Sequence, residues 1–376
     1  MPVVIHAAFD SGNIQVLDTR EPGVVRLAIR PDRQSPHFQW FHFEATGLVP
    51  GEPYQFQLEN AGQSSYPHAW AGYNAVASED GERWFRLPSQ YDGQVLSFSV
   101  RAPGPRLRVA YFEPYSRDRH ARLIERAVAG GLTCIARGTS GEGRDIELLR
   151  AGDGGAHTRK LWLIAQQHPG EHMAEWFMEG LIDHLLGASP EVQALLERAT
   201  VYLIPNMNPD GAFHGHLRTN AFGKDLNRAW QLPTPEHTPE VRFALEQMNA
   251  VGVDAFIDAH GDEAIPHVFT AACEGNPGYT PRIAQLEQQF RDLLCAQTPD
   301  FQQTHGYPRA APGQANMALA CNAVGARFDC LALTLEMPFK DHDDAPAPLT
   351  GWNGERSARL GKDVISVLGQ MLGRLR

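Results

Sequence analysis

Leu161-Trp162-Leu163-Ile164-Ala165, then Gln166-Gln167, then His168-Pro169-Gly170-Glu171: this stretch sets the architecture of the chain. Consecutive apolar residues predict a strand buried on both faces, as in the middle of a sheet covered by helices. Past its end an imidazole and a carboxylate stand three residues apart, and Pro169 and Gly170 favour a turn between them. The pattern of apolar run and polar loop recurs at Val201-Tyr202-Leu203-Ile204, Ala255-Phe256-Ile257 and Leu331-Ala332-Leu333-Thr334-Leu335. Those runs lead into Pro205-Asn206-Met207-Asn208-Pro209-Asp210-Gly211, His260 and Glu336. An open α/β sheet presents its ligand crevice at such strand ends.

Helices between the strands announce their starts. Ser189-Pro190, Thr238-Pro239 and Thr280-Pro281 each place a hydroxyl N-cap before a proline at the first helical position. At the C-terminal end Leu360, Val364, Ile365, Leu368, Met371, Leu372 and Leu375 form one helical stripe, which predicts a helix packed on the sheet. Upstream the period changes. Val24-Val25-Arg26-Leu27-Ala28-Ile29, the segment Phe38 to Glu44, Tyr54-Gln55-Phe56-Gln57-Leu58 and Val95-Leu96-Ser97-Phe98-Ser99-Val100 alternate apolar with polar residues at close spacing, which predicts an all-β sandwich. Pro103-Gly104-Pro105 breaks that pattern. The expectation is an all-β sandwich over 1–104 and an α/β domain with a mixed sheet over 105–376.

Composition narrows the class. With 43% hydrophobic and 20% charged residues the chain of 376 residues reads as globular. A net charge of −11 without a basic stripe argues against nucleic-acid binding. No apolar run is long enough for a bilayer, and the N-terminus lacks a basic region followed by an apolar one. Five cysteines without a CxxC read as small buried hydrophobes in a reducing compartment, so a cytoplasmic location is expected. No signal for an oligomeric state is present.

Two histidines and a carboxylate suit a catalytic zinc with one coordination position open. His168, Glu171 and His260 are the candidates. HxxE alone is also a common strand-to-helix turn, and a histidine ending a strand is usually a hydrogen-bonded polar residue. His168 to His172 fits H-x-x-E-H as well, with Glu171 as base, but Pro169 and Gly170 would fall inside the helical turn which that reading needs. Glu171 is therefore preferred as a ligand and His172 left out. Asp258 is a candidate hydrogen-bond partner behind a ligand. Arg218 and the pair Asn227-Arg228 can hold a carboxylate or a developing oxyanion, and Glu336, ending an apolar strand, can act as a base.

In order and spacing, HPGE, PNMNPDG, the following arginine, KDLNRAW, DAHGDE and TLEMPF resemble the zinc metallocarboxypeptidases, in particular the cytosolic carboxypeptidase branch and its bacterial members. Tyr111-Phe112-Glu113-Pro114-Tyr115-Ser116 and a leading β-sandwich resemble that branch too. The resemblance covers 107–376 by motif and the first hundred residues by architecture. It implies one Zn2+ per chain on His168, Glu171 and His260, with water in the remaining position. Glu336 matches the base that activates this water, Arg218 the oxyanion stabiliser, and Asn227 with Arg228 the grip on the substrate's terminal carboxylate. The implied partners are peptide or protein C-termini.

Two departures stand out. Secreted relatives carry a tyrosine about twenty residues before the base, where this chain reads Gly313 to Ala320; Tyr307 lies further upstream. Between Met317 and Cys321, where side-chain specificity is usually set, there is no charge. Eukaryotic relatives prefer acidic C-terminal residues, and Arg309, Arg327 or Lys340 could serve such a preference. A zinc amidohydrolase acting on N-acyl amino acids would share the ligands and the base. A binding protein on an inactive scaffold would be expected to have lost at least one of them.

Overall fold

All eight residues of the strand Ala255–Asp262 are buried, as are all eight of Leu331–Pro338, as their lack of polar alternation predicts. In the computed structural model, which describes residues 3–376, both are interior strands of a seven-stranded mixed sheet. Met1 and Pro2, where the expected first domain begins, fall outside the described residues. The strand Arg159–Ala165 runs parallel to Ala255–Asp262 on one side and to Ala199–Ile204 on the other. Leu331–Pro338 continues the parallel set, and Phe269–Ala271 closes that edge antiparallel. Thr133–Thr139 and Asp145–Ala151 form the opposite antiparallel edge.

Alternate residues of each central strand feed two cores. Leu161, Leu163, Ile257, Leu333 and Leu335 pack with the helices Met173–Leu186, Pro281–Gln297 and Gly354–Met371. Trp162, Ile164, Phe256 and Ala332 face the helices Pro239–Val251 and Ala320–Phe328. Trp162 and Tyr202, opposed in register, stack with ring centroids 4.7 Å apart. Such a pair adds about 0.5–1.5 kcal/mol beyond its area burial.

The helix starts follow the sequence with one exception. Ser189 and Thr280 accept hydrogen bonds from the amides of Val192 and Ile283. Thr238 makes no such bond; its hydroxyl instead accepts from the Thr234 amide. Among the cysteines, Cys273, Cys321 and Cys330 are buried as expected, whereas Cys134 is half-buried and Cys295 exposed.

Two five-stranded sheets make the N-terminal sandwich. Pro53–Leu58 shows the expected alternation of burial, while the segment from Phe38 becomes a strand only at His42–Thr46. The break at Pro103-Gly104-Pro105 is a crossover between the two sheets: Leu96–Arg101 lies in one, and Arg106–Ala110 pairs with His42–Thr46 and Ala75–Ser78 in the other. The all-β part thus runs through Ala110, past the expected boundary at 104. A turn between sheets and a linker between domains carry the same proline-glycine composition. The core of the sandwich, including Trp40, Phe41 and Phe98, is continuous with that of Leu161 and Leu333. Among the described residues no helix is long and apolar enough to cross a membrane.

Met173–Leu186 and Gly354–Met371 approach unusually closely. A Cβ at Gly180 would lie 2.0 Å from the Ala358 carbonyl oxygen, and one at Gly361 2.0 Å from that of Phe177. Backbone atoms on both sides leave nothing flexible to yield. Gly180→Ala is expected to destabilise the fold by about 1–3 kcal/mol despite alanine's better helix propensity, read as a lower denaturation midpoint.

Candidate active site

The turn 166–171 leaves the strand Arg159–Ala165 and enters the helix Met173–Leu186, with Gln166 at φ 56°. It aims His168 and Glu171 at the end of the neighbouring strand, where His260 stands. The two oxygens of Glu171 divide their contacts: Oε1 is 2.7 Å from His168 Nδ1, and Oε2 is 2.7 Å from His260 Nδ1. Ligand atoms of all three residues lie within 4.8 Å of one another, and all three are buried. Behind them sit two more carboxylates. Asp225 Oδ1 is 3.0 Å from His168 Nε2, and Asp258 Oδ2 is 2.9 Å from His260 Nε2. Carboxylates on the far nitrogens fix ring orientation and leave the near nitrogens for a metal.

The chemistry of this donor set fits zinc: two imidazoles and a carboxylate converge, as in catalytic sites with one position left open. Electrostatics agree. Burial opposes a charge on His260, but Asp258 and Glu171 raise its pKa well above the usual value. Burial likewise opposes the Glu171 carboxylate, yet His168 and His260 hold its pKa down to about 2. The pocket favours positive charge between its carboxylates. His172 takes no part: its Nδ1 accepts from the Tyr115 amide at 2.9 Å and its ring lies 4.3 Å from that of Trp40.

Parallel pairing sets Glu336 directly beside His260. Burial, followed by the charges of Glu171, Asp262 and Asp258, raises its pKa to about 8 against the opposing pull of His260. One of its oxygens, Oε2, is buried without a hydrogen-bond partner. The other is 3.3 Å from the hydroxyl of Tyr307, which also donates to Asp262 at 2.6 Å. Tyr307 is the residue that sequence spacing missed. It reaches the base from a longer loop: the residue as a whole is 46% exposed, while its hydroxyl meets the buried carboxylates of Asp262 and Glu336.

Arg218 donates through Nε to Asp225 at 2.8 Å and through Nη1 to the hydroxyl of Tyr66 at 2.6 Å. Asn227 sits close to the ligands, its Nδ2 3.3 Å from His260 Nε2, while its Oδ1 accepts from the Ala320 amide. Arg228 is exposed at the rim. Beyond Tyr307 opens a cavity of about 500 Å³ whose wall includes Phe269, Glu274, Arg291, Arg309, Asn316 and Leu319. Of the three basic candidates for specificity only Arg309 lines it. Arg327 donates to Asn249, and Lys340 to the carbonyls of Ala71 and Ala264.

The sandwich holds the loop that carries Arg218. Asp32 accepts from the amides of Leu217, Arg218 and Thr219 at 2.7, 2.9 and 2.9 Å, and from the Thr219 hydroxyl at 3.0 Å. Asn13 donates to the Gly215 carbonyl, and the Arg33 amide to His216. Nothing local in the sequence signals contacts across more than 180 residues.

Residues 5–112 match the cytosolic carboxypeptidase N-terminal domain, and residues 121–263 match the zinc carboxypeptidase family. A metallo-carboxypeptidase from Pseudomonas aeruginosa, solved in complex with (2-guanidinoethylmercapto)succinic acid, is 62% identical with a TM-score of 0.97, covering 99% of this chain and 100% of that one. A metallo-carboxypeptidase from Burkholderia cenocepacia is 40% identical with a TM-score of 0.94, covering 99% of each. Cytosolic carboxypeptidase 1 of Mus musculus is 27% identical over 327 residues; the match takes in 71% of this chain but only 26% of that longer protein.

Asp32→Ala is expected to release the loop while leaving the ligand set whole. Charge-assisted hydrogen bonds contribute about 1.5–3 kcal/mol each. Hydrogen exchange at the amides of 217–219 should accelerate at least tenfold, with bound zinc unchanged by elemental analysis.

Proposed function

The chain belongs to the zinc carboxypeptidase family, and from that premise we propose that it removes single residues from the C-termini of peptides or proteins, using the side chains gathered around His260. The observation that carries this reading is the pairing of His260 with Glu336 across adjacent parallel strands, with Arg218 held alongside. His168, Glu171 and His260 would hold the zinc, which when bound supplies Lewis acidity and makes water more acidic.

The remaining steps belong to the protein. Arg228 at the rim, with Asn227 beside it, would grip the terminal carboxylate and so place the last peptide bond over the ligand set. Glu336 Oε2, buried and unpartnered, would take a proton from water and later hand it to the departing amine. Arg218, fixed by Asp225 and Tyr66, would donate to the carbonyl oxygen as negative charge builds there. Tyr307, whose hydroxyl already faces Glu336, would orient the base or the scissile amide.

A preference for acidic C-terminal side chains draws support from the adjoining cavity. Arg291 is answered by Glu274 at 3.1 Å and Glu287 at 3.7 Å, whereas Arg309, with a side chain 70% exposed and only a long 3.4 Å contact to Glu274, is the arginine of the wall left able to meet an acidic side chain. Location in the cytoplasm fits five cysteines that all remain free.

Two measurements test these readings. Mass spectrometry of peptides incubated with zinc-loaded enzyme should show loss of single C-terminal residues, slowed by roughly 10²–10⁴-fold in Glu336→Gln with bound zinc retained. Intact peptides with the wild type would overturn the proposal. Among peptides differing only at the last residue, Glu should be cleaved faster than Leu, and Arg309→Gln should narrow the ratio by about tenfold or more. Equal rates for Glu and Leu in the wild type would sink the acidic preference alone.

A further inference from the structure

The loops that leave the strands of His260 and Glu336 meet again beyond the active site. The Asp343 amide donates to the Pro266 carbonyl at 3.0 Å, and beside that contact lie His267, His342 and Asp344. Each offers one ligand atom, all within 4.8 Å of one another. His267 is 6% exposed and His342 fully buried, while Asp344 sits at the mouth.

The histidines are arranged as ligands are. His342 Nε2 lies 2.6 Å from the carbonyl oxygen of Asp300. A carbonyl only accepts, so Nε2 carries the hydrogen and Nδ1 keeps its lone pair. A ring nitrogen donating to a backbone carbonyl is how metal-bound histidines are oriented. Nδ1 faces the Asp344 amide at 3.2 Å, a long contact that a cation could replace. His267 Nδ1 is 3.1 Å from Asp344 Oδ2, and the ring of His305 stacks on His267 with centroids 4.2 Å apart and planes at 5°. An ion pair to a carboxylate 52% exposed is weak, and does not by itself explain two buried imidazoles set edge to face.

We propose that His267, His342 and Asp344 form a second metal site, distinct from the His168, Glu171 and His260 set, which takes a divalent transition ion such as Zn2+, Co2+ or Ni2+. Two imidazoles and a carboxylate suit that class better than Mg2+ or Ca2+. The site binds more weakly than the first, because its carboxylate is half in solvent and no acidic side chain backs its histidines. An ion there ties the loop after His260 to the loop after Glu336, and the structural consequence is a firmer active-site rim.

The test uses the full chain already carrying one equivalent of zinc. Equilibrium dialysis against excess free Zn2+, followed by elemental analysis, should find two ions per chain. Asp344→Asn, a change at the exposed mouth that leaves both imidazoles in place, should weaken the second ion at least tenfold while the first equivalent stays. Excess Zn2+ should raise the melting temperature of the wild type and not that of Asp344→Asn. His260→Ala should lose the first ion and keep the second. One ion per chain in the wild type at saturating Zn2+ would overturn the proposal. So would a second equivalent that Asp344→Asn leaves unchanged, since that ion would be bound adventitiously elsewhere.

Discussion

The active site depends on the register of three parallel strands. Because side chains alternate along a strand, a slip of one residue between Ala255–Asp262 and Leu331–Pro338 would separate His260 from Glu336 and turn the apolar set of one strand into the wrong core. The two cores enforce the register. Leu333 and Leu335 must face the three helices on one side while Ala332 faces the other pair, and both layers are closed. Chemistry at the strand ends therefore inherits its precision from dispersion and apolar burial well below it. The turn at His168 adds the third component, locked by the neighbouring strand and by a left-handed backbone at Gln166.

Arg218 is positioned differently. It lies on a loop outside the sheet, and loops gain their order from partners. Here the partners come largely from the sandwich: Asp32 gathers three backbone amides, and Tyr66 meets the guanidinium itself. A sandwich that merely covered apolar surface would need no buried carboxylate aimed at one loop. Arg86 repeats the pattern at another edge. Buried without a carboxylate partner, it donates to the carbonyls of Asn74, Phe339, Thr350 and Trp352, and so pins the chain that follows Glu336. The N-terminal part thus serves as scaffold for two of the loops that frame the site.

What the sequence revealed, and what it hid, follows from the range of each interaction. The central strands, His168 with Glu171, His260 and Glu336 were legible because apolar runs and the polar residues ending them are local. The crossover at Pro103-Gly104-Pro105 misled because turn composition does not say whether the chain passes to a new sheet or a new domain. Tyr307 escaped because spacing counts residues along a loop, whereas its hydroxyl arrives through space from a longer one. Asp32 and Tyr66 were invisible: their partners stand more than 150 residues away, and an aspartate or tyrosine in a β-sandwich loop carries no mark of them.

Charge explains why the constellation hangs together. Six carboxylates, those of Glu171, Asp225, Asp258, Asp262, Glu263 and Glu336, crowd the ends of the central strands and the loop beside them. Burying that many anions is untenable unless cations or protons join them. Burial, then Glu171 and Asp262, push the carboxyl of Glu263 well above its ordinary range, and Glu336 rises to about 8. Arg218 answers one charge through Asp225, and the imidazoles answer others. A divalent ion on His168, Glu171 and His260 would shift the balance toward ionised carboxylates, so metal binding and the readiness of Glu336 to accept a proton are linked through one electrostatic field. The same field would repel an anionic group except along the arginines. Under the proposed reading, the path for a terminal carboxylate would be the side of Arg218 and Arg228, and the order of charges would set which end of a peptide enters.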